Sequence, residues 1–294
     1  MSARPGLEVV RAGALTTVQD LGRPGFAHLG VTGSGALDLP AHRAANRLVG
    51  NPDACATLET TLTGCALRAL APVVVAVTGA PAPVRVDGAP APWGAPVSLA
   101  VGQVLDVGTA VAGVRSHVAV AGGVDAAPVL GSRSTDLLSG LGPAPLRDGD
   151  LLAVGAPGAA PVGGPVGVPL PGPPEELALP VVLGPRADWF TPAALTTLWR
   201  GTWTVSSASN RVGLRLDGPA LERARTDELA SEGMVLGAIQ VPPEGRPIVF
   251  LADHPVTGGY PVVGVVPAAA LAAVAQATPG TPVRFTPSSV TPSS

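Results

Sequence analysis

At 294 residues the chain is long enough for two domains, each with its own core. Only 13% of residues are charged against 46% hydrophobic, and 38 Gly with 34 Pro interrupt it so often that short strands and turns are favoured over helical layers. A net charge of −3 without a basic tract excludes the footprint of a nucleic-acid binder, and because all 18 basic residues are arginine, Walker A, Schiff-base and biotinyl lysines are excluded too.

In chain order, Leu7 to Val10 begins a strand, and Leu15 to Asp20 reads as a second with polar residues at its end. The loop that follows, Gly22-Arg23-Pro24-Gly25 and Gly30 to Gly35, holds more glycine than a solvent loop needs, yet it lacks the GxGxxG spacing of a dinucleotide site. Asp38 predicts the cap of a helix over 39–49, ended by Gly50-Asn51-Pro52. His42 and Asn46 share one face of it, either as a ligand-facing pair or as an exposed polar face. From 54 to 154 the pattern is strand, turn, strand, with strands at 56–62, 73–78, 84–86, 97–101, 104–107 and 116–121, the rhythm of a β-barrel or sandwich. Ser132-Arg133-Ser134 lies in a hydroxyl-rich loop that either holds a carboxylate or phosphate or is a turn in which Ser134 or Asp136 serves the backbone. Cys55 and Cys65 lack metal-site spacing and read as two buried thiols.

Residues 156–175, almost wholly Gly, Ala, Pro and Val, read as a linker between an N-terminal domain over 1–155 and a C-terminal one over 176–285, with 286–294 as a disordered tail. The second domain starts with a strand at 177–183 and a short helix at 192–198 that Thr191 caps. After the strand at 203–205, Ser209-Asn210-Arg211 presents a hydroxyl, an amide and a guanidinium, suited to a planar carboxylate or amide and equally to turn chemistry. The runs 234–241 and 248–252, joined by Pro242 to Pro247, predict a hairpin. Asp253 and His254 stand at its end, before Thr257-Gly258-Gly259-Tyr260, where glycine lets the backbone approach a ligand. With no GxSxG elbow and no HExxH, hydrolysis through a triad or a zinc ion is unsupported. Met1 leads into no apolar run, and none elsewhere reaches membrane-spanning length, so a cytoplasmic protein without membrane contact is expected.

Four stretches taken together carry a resemblance. They are Gln19-Asp20-x-Gly22-Arg23-x-Gly25 with Gly30 to Asp38, the run from Ala121 to Gly142, Ser209-Asn210-Arg211-x-Gly213-x-Arg215-Leu216, and Glu232 to Gln240 through Thr257 to Pro261. The chain resembles the KipA family, which supplies the C component of 5-oxoprolinase and is also called allophanate hydrolase subunit 2, and it resembles one half of the urea carboxylase carboxyltransferase domain. The resemblance implies a mainly β fold of two cyclophilin-like β-barrel domains with a few short helices. It implies a KipI-like component and a LamB/YcsF-like component as partners, and the opening of 5-oxoproline to glutamate with ATP and Mg2+ as co-substrate of the assembly. A phosphorylated lactam is the chemical logic it suggests, with no biotin attached to this chain. Arg211, Asp253 and Gln240 then become the catalytic candidates, the arginine with the Gly258 and Gly259 amides steadying negative charge and the other two orienting substrate or metal-bound phosphate. Ser209, Asn210, Thr257, Gly258, Gly259, Tyr260, Ser132, Arg133, Ser134, Gln19, Asp20 and Arg23 become the substrate-binding candidates. Where many relatives carry a basic residue after Gly-Gly-Tyr-Pro, this chain has Val262 and Val263, so the role of that residue falls to an arginine elsewhere or is absent. The resemblance leaves two other functions open: a biotin-dependent carboxyltransferase component acting on urea or a similar amide, and a KipI-binding regulator without catalysis.

Overall fold

A computed structural model describes residues 5–158 and 175–288. Most of the stretch read as linker, and the tail beyond 288, lie outside the described residues. The chain divides into two units: Met1–Arg23, Ser34–Asp136 and Gly140–Pro173 form the first, and Pro24–Gly33, Leu137–Ser139 and Pro174–Ser294 form the second.

The first unit contains strands β1 (Pro5–Arg11), β2 (Thr16–Gln19), β3 (Thr57–Thr61), β4 (Cys65–Ala69), β5 (Val73–Gly79), β6 (Val84–Val86), β7 (Ala89–Ala91), β8 (Pro96–Leu99), β9 (Val104–Val107), β10 (Arg115–Val120) and β11 (Leu151–Ala153), with helix α1 (Leu39–Leu48). They form a six-stranded sheet, β11-β1-β4-β9-β6-β7, and a five-stranded sheet, β2-β3-β10-β5-β8. The alternation of strands places Val9, Leu67 and Leu105 from one sheet and Leu58, Val75, Val77 and Val118 from the other in a shared core. On the opposite face of β5 and β10, Ala76 and Ala119 are cross-strand partners. Their small side chains admit α1, which packs Ala45 and Leu48 against them. The Asp38 carboxylate caps this helix by accepting from Ala41 N at 3.0 Å, and Pro40 sits in its first turn.

The second unit contains β12 (Leu177–Leu183), α2 (Pro192–Arg200), β13 (Trp203–Val205), β14 (Gly213–Asp217), β15 (Glu232–Gly233), β16 (Ala238–Gln240), β17 (Ile248–Phe250), β18 (Thr257–Gly258), β19 (Val262–Val265), α3 (Leu271–Ala275) and β20 (Pro282–Pro287). Seven of its strands close into a barrel in the order β12-β19-β16-β17-β14-β13-β20, sealed by the parallel pair β12 and β20. Leu177, Leu179 and Val181 alternate inward from β12 and Val283 and Phe285 from β20. Trp203, fully buried, packs its ring 5.2 Å from that of Phe285 and donates its indole N–H to Pro219 O at 3.0 Å. Thr191 caps α2 through Ala194 N. The expected hairpin forms with Ile239 opposite Val249. Strand β20 runs past residue 285, held to β12 as far as Pro287. The fold is mostly β, with short helices, and no helix among the described residues is long and apolar enough to cross a membrane.

Candidate functional site

The candidate residues fall into one group in each unit. In the first, β2 ends at Gln19 and turns at Asp20, onto which the loop 129–135 folds. Val129 and Ser132 pair across Leu130 and Gly131, which take φ of 51° and 81°, the left-handed conformation of a tight hairpin turn. That turn aims Ser132, Arg133 and Ser134 at one carboxylate. Asp20 Oδ1 accepts from Ser132 Oγ and Ser134 Oγ, both at 2.6 Å, and from Gly22 N at 2.8 Å, while Oδ2 accepts from Arg133 N at 2.6 Å. Both hydroxyls thus serve Asp20, and Ser134 Oγ also accepts from Asp20 N. The Arg133 side chain turns outward to Asp125 at 3.3 Å. Arg23, 1% exposed, donates Nε to Val129 O at 3.3 Å and Nη2 to Ser134 O. Gln19, fully buried, donates its amide to Thr17 Oγ1 and to Thr135 O.

In the second unit, Arg211 enters β14 and Asp253 follows β17. They form a bidentate pair, Nε to Oδ2 at 2.9 Å and Nη2 to Oδ1 at 3.1 Å, with both side chains fully buried. The backbone repeats the link, Asp253 N donating to Arg211 O at 3.1 Å, and Leu137 N adds a bond to Asp253 Oδ2 at 3.2 Å. Gln240 donates to Tyr260 O at 3.3 Å, tying β16 to the Thr257 to Tyr260 segment. A Cβ on Gly258 would lie 2.5 Å from Gln240 Nε2, so any larger residue there must displace the end of that side chain. Tyr260 is 44% exposed under the Arg223 guanidinium, 5.5 Å from its ring centre. Ser209 and Asn210 shape their own turn: the Asn210 carbonyl accepts from Val212 N at 2.8 Å and Ser209 Oγ accepts from Arg215 N at 3.0 Å. His254 is buried and bonded to the Pro255 carbonyl. Val262 stands opposite Gln240 and Val263 lies in the barrel core, where a long basic side chain has no solvent to reach.

A further polar network had no motif to announce it. Glu59, in the centre of β3, is 1% exposed; it accepts from Leu37 N at 2.9 Å and from Arg115 Nη1 at 3.3 Å, with His117 Nε2 at 3.8 Å. The β3–β10 register sets His117 directly across from Glu59. Thr57 Oγ1 links His117 Nδ1 at 3.3 Å to His42 Nδ1 at 2.9 Å, and His42 Nε2 meets Asp53 O at 2.9 Å. A carbonyl only accepts, so His42 carries its proton on Nε2 and takes the Thr57 hydroxyl on Nδ1. Burial pushes His42 below the ordinary histidine value, against the weaker opposing pull of the Asp53 carbonyl and of Asp20 and Glu59. His42 and Asn46 therefore face inward, Asn46 donating to Cys55 O at 2.8 Å. The only signal for this network in sequence was one carboxylate inside the threonine-rich strand Thr57–Thr61.

Residues 29–287 match the family described as carboxyltransferase domain, subdomain A and B. The chain belongs to this family. Among its relatives is the C component of the 5-oxoprolinase of Escherichia coli (strain K12), 39% identical over 282 residues that cover 95% of this chain and 90% of that protein. The urea amidolyase of Lachancea kluyveri is 33% identical over 95% of this chain, which spans only 17% of that much longer protein. The crystal structure of the K. lactis urea amidolyase shares the fold at a TM-score of 0.89 and 32% identity, over 98% of this chain and 19% of that one. Carboxyltransferase-family chains thus include both free subunits and segments of long multidomain proteins.

Whether this member's residues fit a nucleotide with its magnesium can be asked of the carboxylates. Asp253 has both oxygens engaged by Arg211, and Asp20 accepts four hydrogen bonds, three from the loop 129–135 and one from Gly22 N. No group of three or more His, Cys, Asp or Glu side chains among the described residues is placed to hold a metal ion. These two aspartates do not fit a magnesium-phosphate site.

Proposed function

We propose that the chain is the C component of an ATP-dependent 5-oxoprolinase, inactive alone and working in the cytoplasm with a KipI-like component and a LamB/YcsF-like component. The observation that carries this reading is the 39% identity extending over 90% of the E. coli protein, which leaves little of that relative without a counterpart here. The net reaction converts 5-oxoproline, ATP and two waters to glutamate, ADP and phosphate, with ATP and Mg2+ entering as co-substrate of the assembly. ATP supplies the activation that a lactam, an unreactive amide, needs before water can open it.

Within that assembly the residues of this chain bind and orient. The Thr257 to Tyr260 segment, in which Gly258 pairs with Glu232 and lies against the Gln240 amide, is the wall that would meet the reacting carbonyl. Arg211 and Asp253 act as a positioning pair that fixes the start of β14 to the end of β17. The test is the co-purified three-component assembly with Gln240→Ala in this chain. A fall in kcat with the assembly intact supports the reading, and unchanged turnover counts against a role for this wall.

A second reading is kept because the likeness to the K. lactis urea amidolyase extends over 98% of this chain. A carboxyltransferase component, supplied with carboxybiotin by a separate carrier protein, would carboxylate urea or a similar amide. Neighbouring genes separate the two: KipI-like and LamB/YcsF-like genes accompany the first, a biotin carboxylase gene the second.

A further inference from the structure

Arg23, Gln19 and Thr135 share a property that sets them apart from the other candidates. Each side chain is buried, at 1%, 0% and 2% exposure, and each has a polar atom without a hydrogen-bond partner: Arg23 Nη1, Gln19 Oε1 and Thr135 Oγ1. Buried polar groups in folded proteins are almost always paired, and three exceptions on side chains tied to one loop call for a cause. They are gathered on two consecutive residues. Arg23 donates Nη2 to Ser134 O, and Gln19 donates its amide to Thr135 O at 2.9 Å. The Thr135 carbonyl accepts a second bond from Ser34 Oγ at 3.0 Å. That doubly bonded carbonyl also fixes the glutamine: reversing the amide would point Oε1 at another acceptor, so its oxygen stays unpartnered.

Charge separates the two arginine centres. Arg211 is neutralised by Asp253, whereas Arg23 donates only to two neutral carbonyls and forms no ion pair among the described residues. Its sequence neighbour Asp20 is engaged by Ser132, Ser134, Gly22 and Arg133. A buried guanidinium without an anion is strongly disfavoured unless an anion arrives from outside.

We propose that Arg23, Gln19 and Thr135 form a binding site in the first unit for a small carboxylate that carries an adjacent amide N–H. Arg23 Nη1 donates to the carboxylate, and Gln19 Oε1 accepts the amide N–H. The Thr135 hydroxyl supplies whichever role the ligand leaves open. Asp20 and the two serines hold the loop that carries Thr135 and do not touch the ligand. The inference goes beyond the reading above, whose wall lies in the second unit, and rests on that reading only for the choice of 5-oxoproline, a cyclic amide with a carboxylate on the carbon next to nitrogen, as the probe.

The experiment is calorimetric titration of the full chain with 5-oxoproline, and with 2-pyrrolidinone, which keeps the lactam and lacks the carboxylate. Saturable binding of 5-oxoproline and none of 2-pyrrolidinone is expected. Arg23→Gln should weaken binding roughly a hundredfold, as loss of a charge-assisted bond does. Thr135→Val removes a hydroxyl that bonds to nothing in the protein, so its melting temperature should equal or exceed that of the parent while binding weakens about five- to ten-fold. This second variant keeps the test decisive if the arginine variant fails to fold. No binding of 5-oxoproline by the chain, or equal binding by Thr135→Val and the parent, overturns the proposal and leaves internal water as the partner of the three atoms. Turnover by the three-component assembly is measured alongside. Glutamate release by the assembly without binding of 5-oxoproline by this chain sinks this site and spares the proposed reaction. Binding by the chain without glutamate release by the assembly does the reverse.

Discussion

Two buried residues, Arg211 and Asp253, carry the sharpest stability prediction. Their bidentate pair has no solvent access, so removing one partner strands a buried charge and costs about 3–5 kcal/mol. Asp253→Asn or Arg211→Met should show that loss in chemical denaturation, and the double variant Arg211→Met with Asp253→Leu should recover most of it. A loss below about 1 kcal/mol, typical of a surface pair, would contradict the burial. His42 gives a pH dependence. Its folded value lies below the ordinary 6.5 because burial disfavours the charged ring, so at acidic pH the unfolded chain takes up a proton that the folded chain does not. The stability it contributes is complete above 6.5 and is lost as pH falls from there toward the folded value. His42→Gln should flatten the dependence in that window, and an unaltered slope would show that His42 does not set it. At this scale the sequence was only partly legible. Asp253 was visible as a polar residue at a strand end and Arg211 in a polar loop, while Gln240 was singled out only by the resemblance; the Arg211–Asp253 pairing joins residues 42 apart and the Glu59–His117 pairing depends on strand register. Neither leaves a local pattern.

Elements tied to local chemistry were read most fully. Asp38 before Leu39-Pro40 and Thr191 before Pro192 each announced a helix start, and each caps as its residue type dictates. Asp38→Ala should therefore cost about 1 kcal/mol, measured by thermal or chemical unfolding, and no change would mean the cap is dispensable. The hairpin of β16 and β17 followed from the proline-rich turn between two apolar runs. Strands β4, β7 and β11 were not anticipated. Cys65–Ala69 and Ala89–Ala91 are short, alanine-bearing segments whose strand state comes from their neighbours β1, β9 and β6. The Thr257 to Tyr260 segment yields its own prediction. Gly258→Ala places a methyl group 2.5 Å from the end of the Gln240 side chain, which is flexible enough to move. The variant should fold with a loss of about 1 kcal/mol, the bond from Gln240 to Tyr260 O, yet lower turnover of the assembly. Undiminished turnover would remove Gln240 from the account.

For the molecule as a whole, composition led to the right class, because glycine and proline at this density leave room for few helices. It did not distinguish the closed seven-stranded barrel of the second unit from the pair of sheets in the first, a difference set by which edges meet. Nor does sequence order reveal that Pro24–Gly33 and Leu137–Ser139 group with the second unit, where Thr32 Oγ1 bonds Ala252 O at 3.1 Å and Leu137 N bonds Asp253. The central claim is tested by purifying this chain with its KipI-like and LamB/YcsF-like partners and measuring glutamate and phosphate released from 5-oxoproline and ATP. Equal amounts of both are expected from the three-component assembly, and neither product above background when this chain is omitted. Full activity from the other two components alone would contradict it.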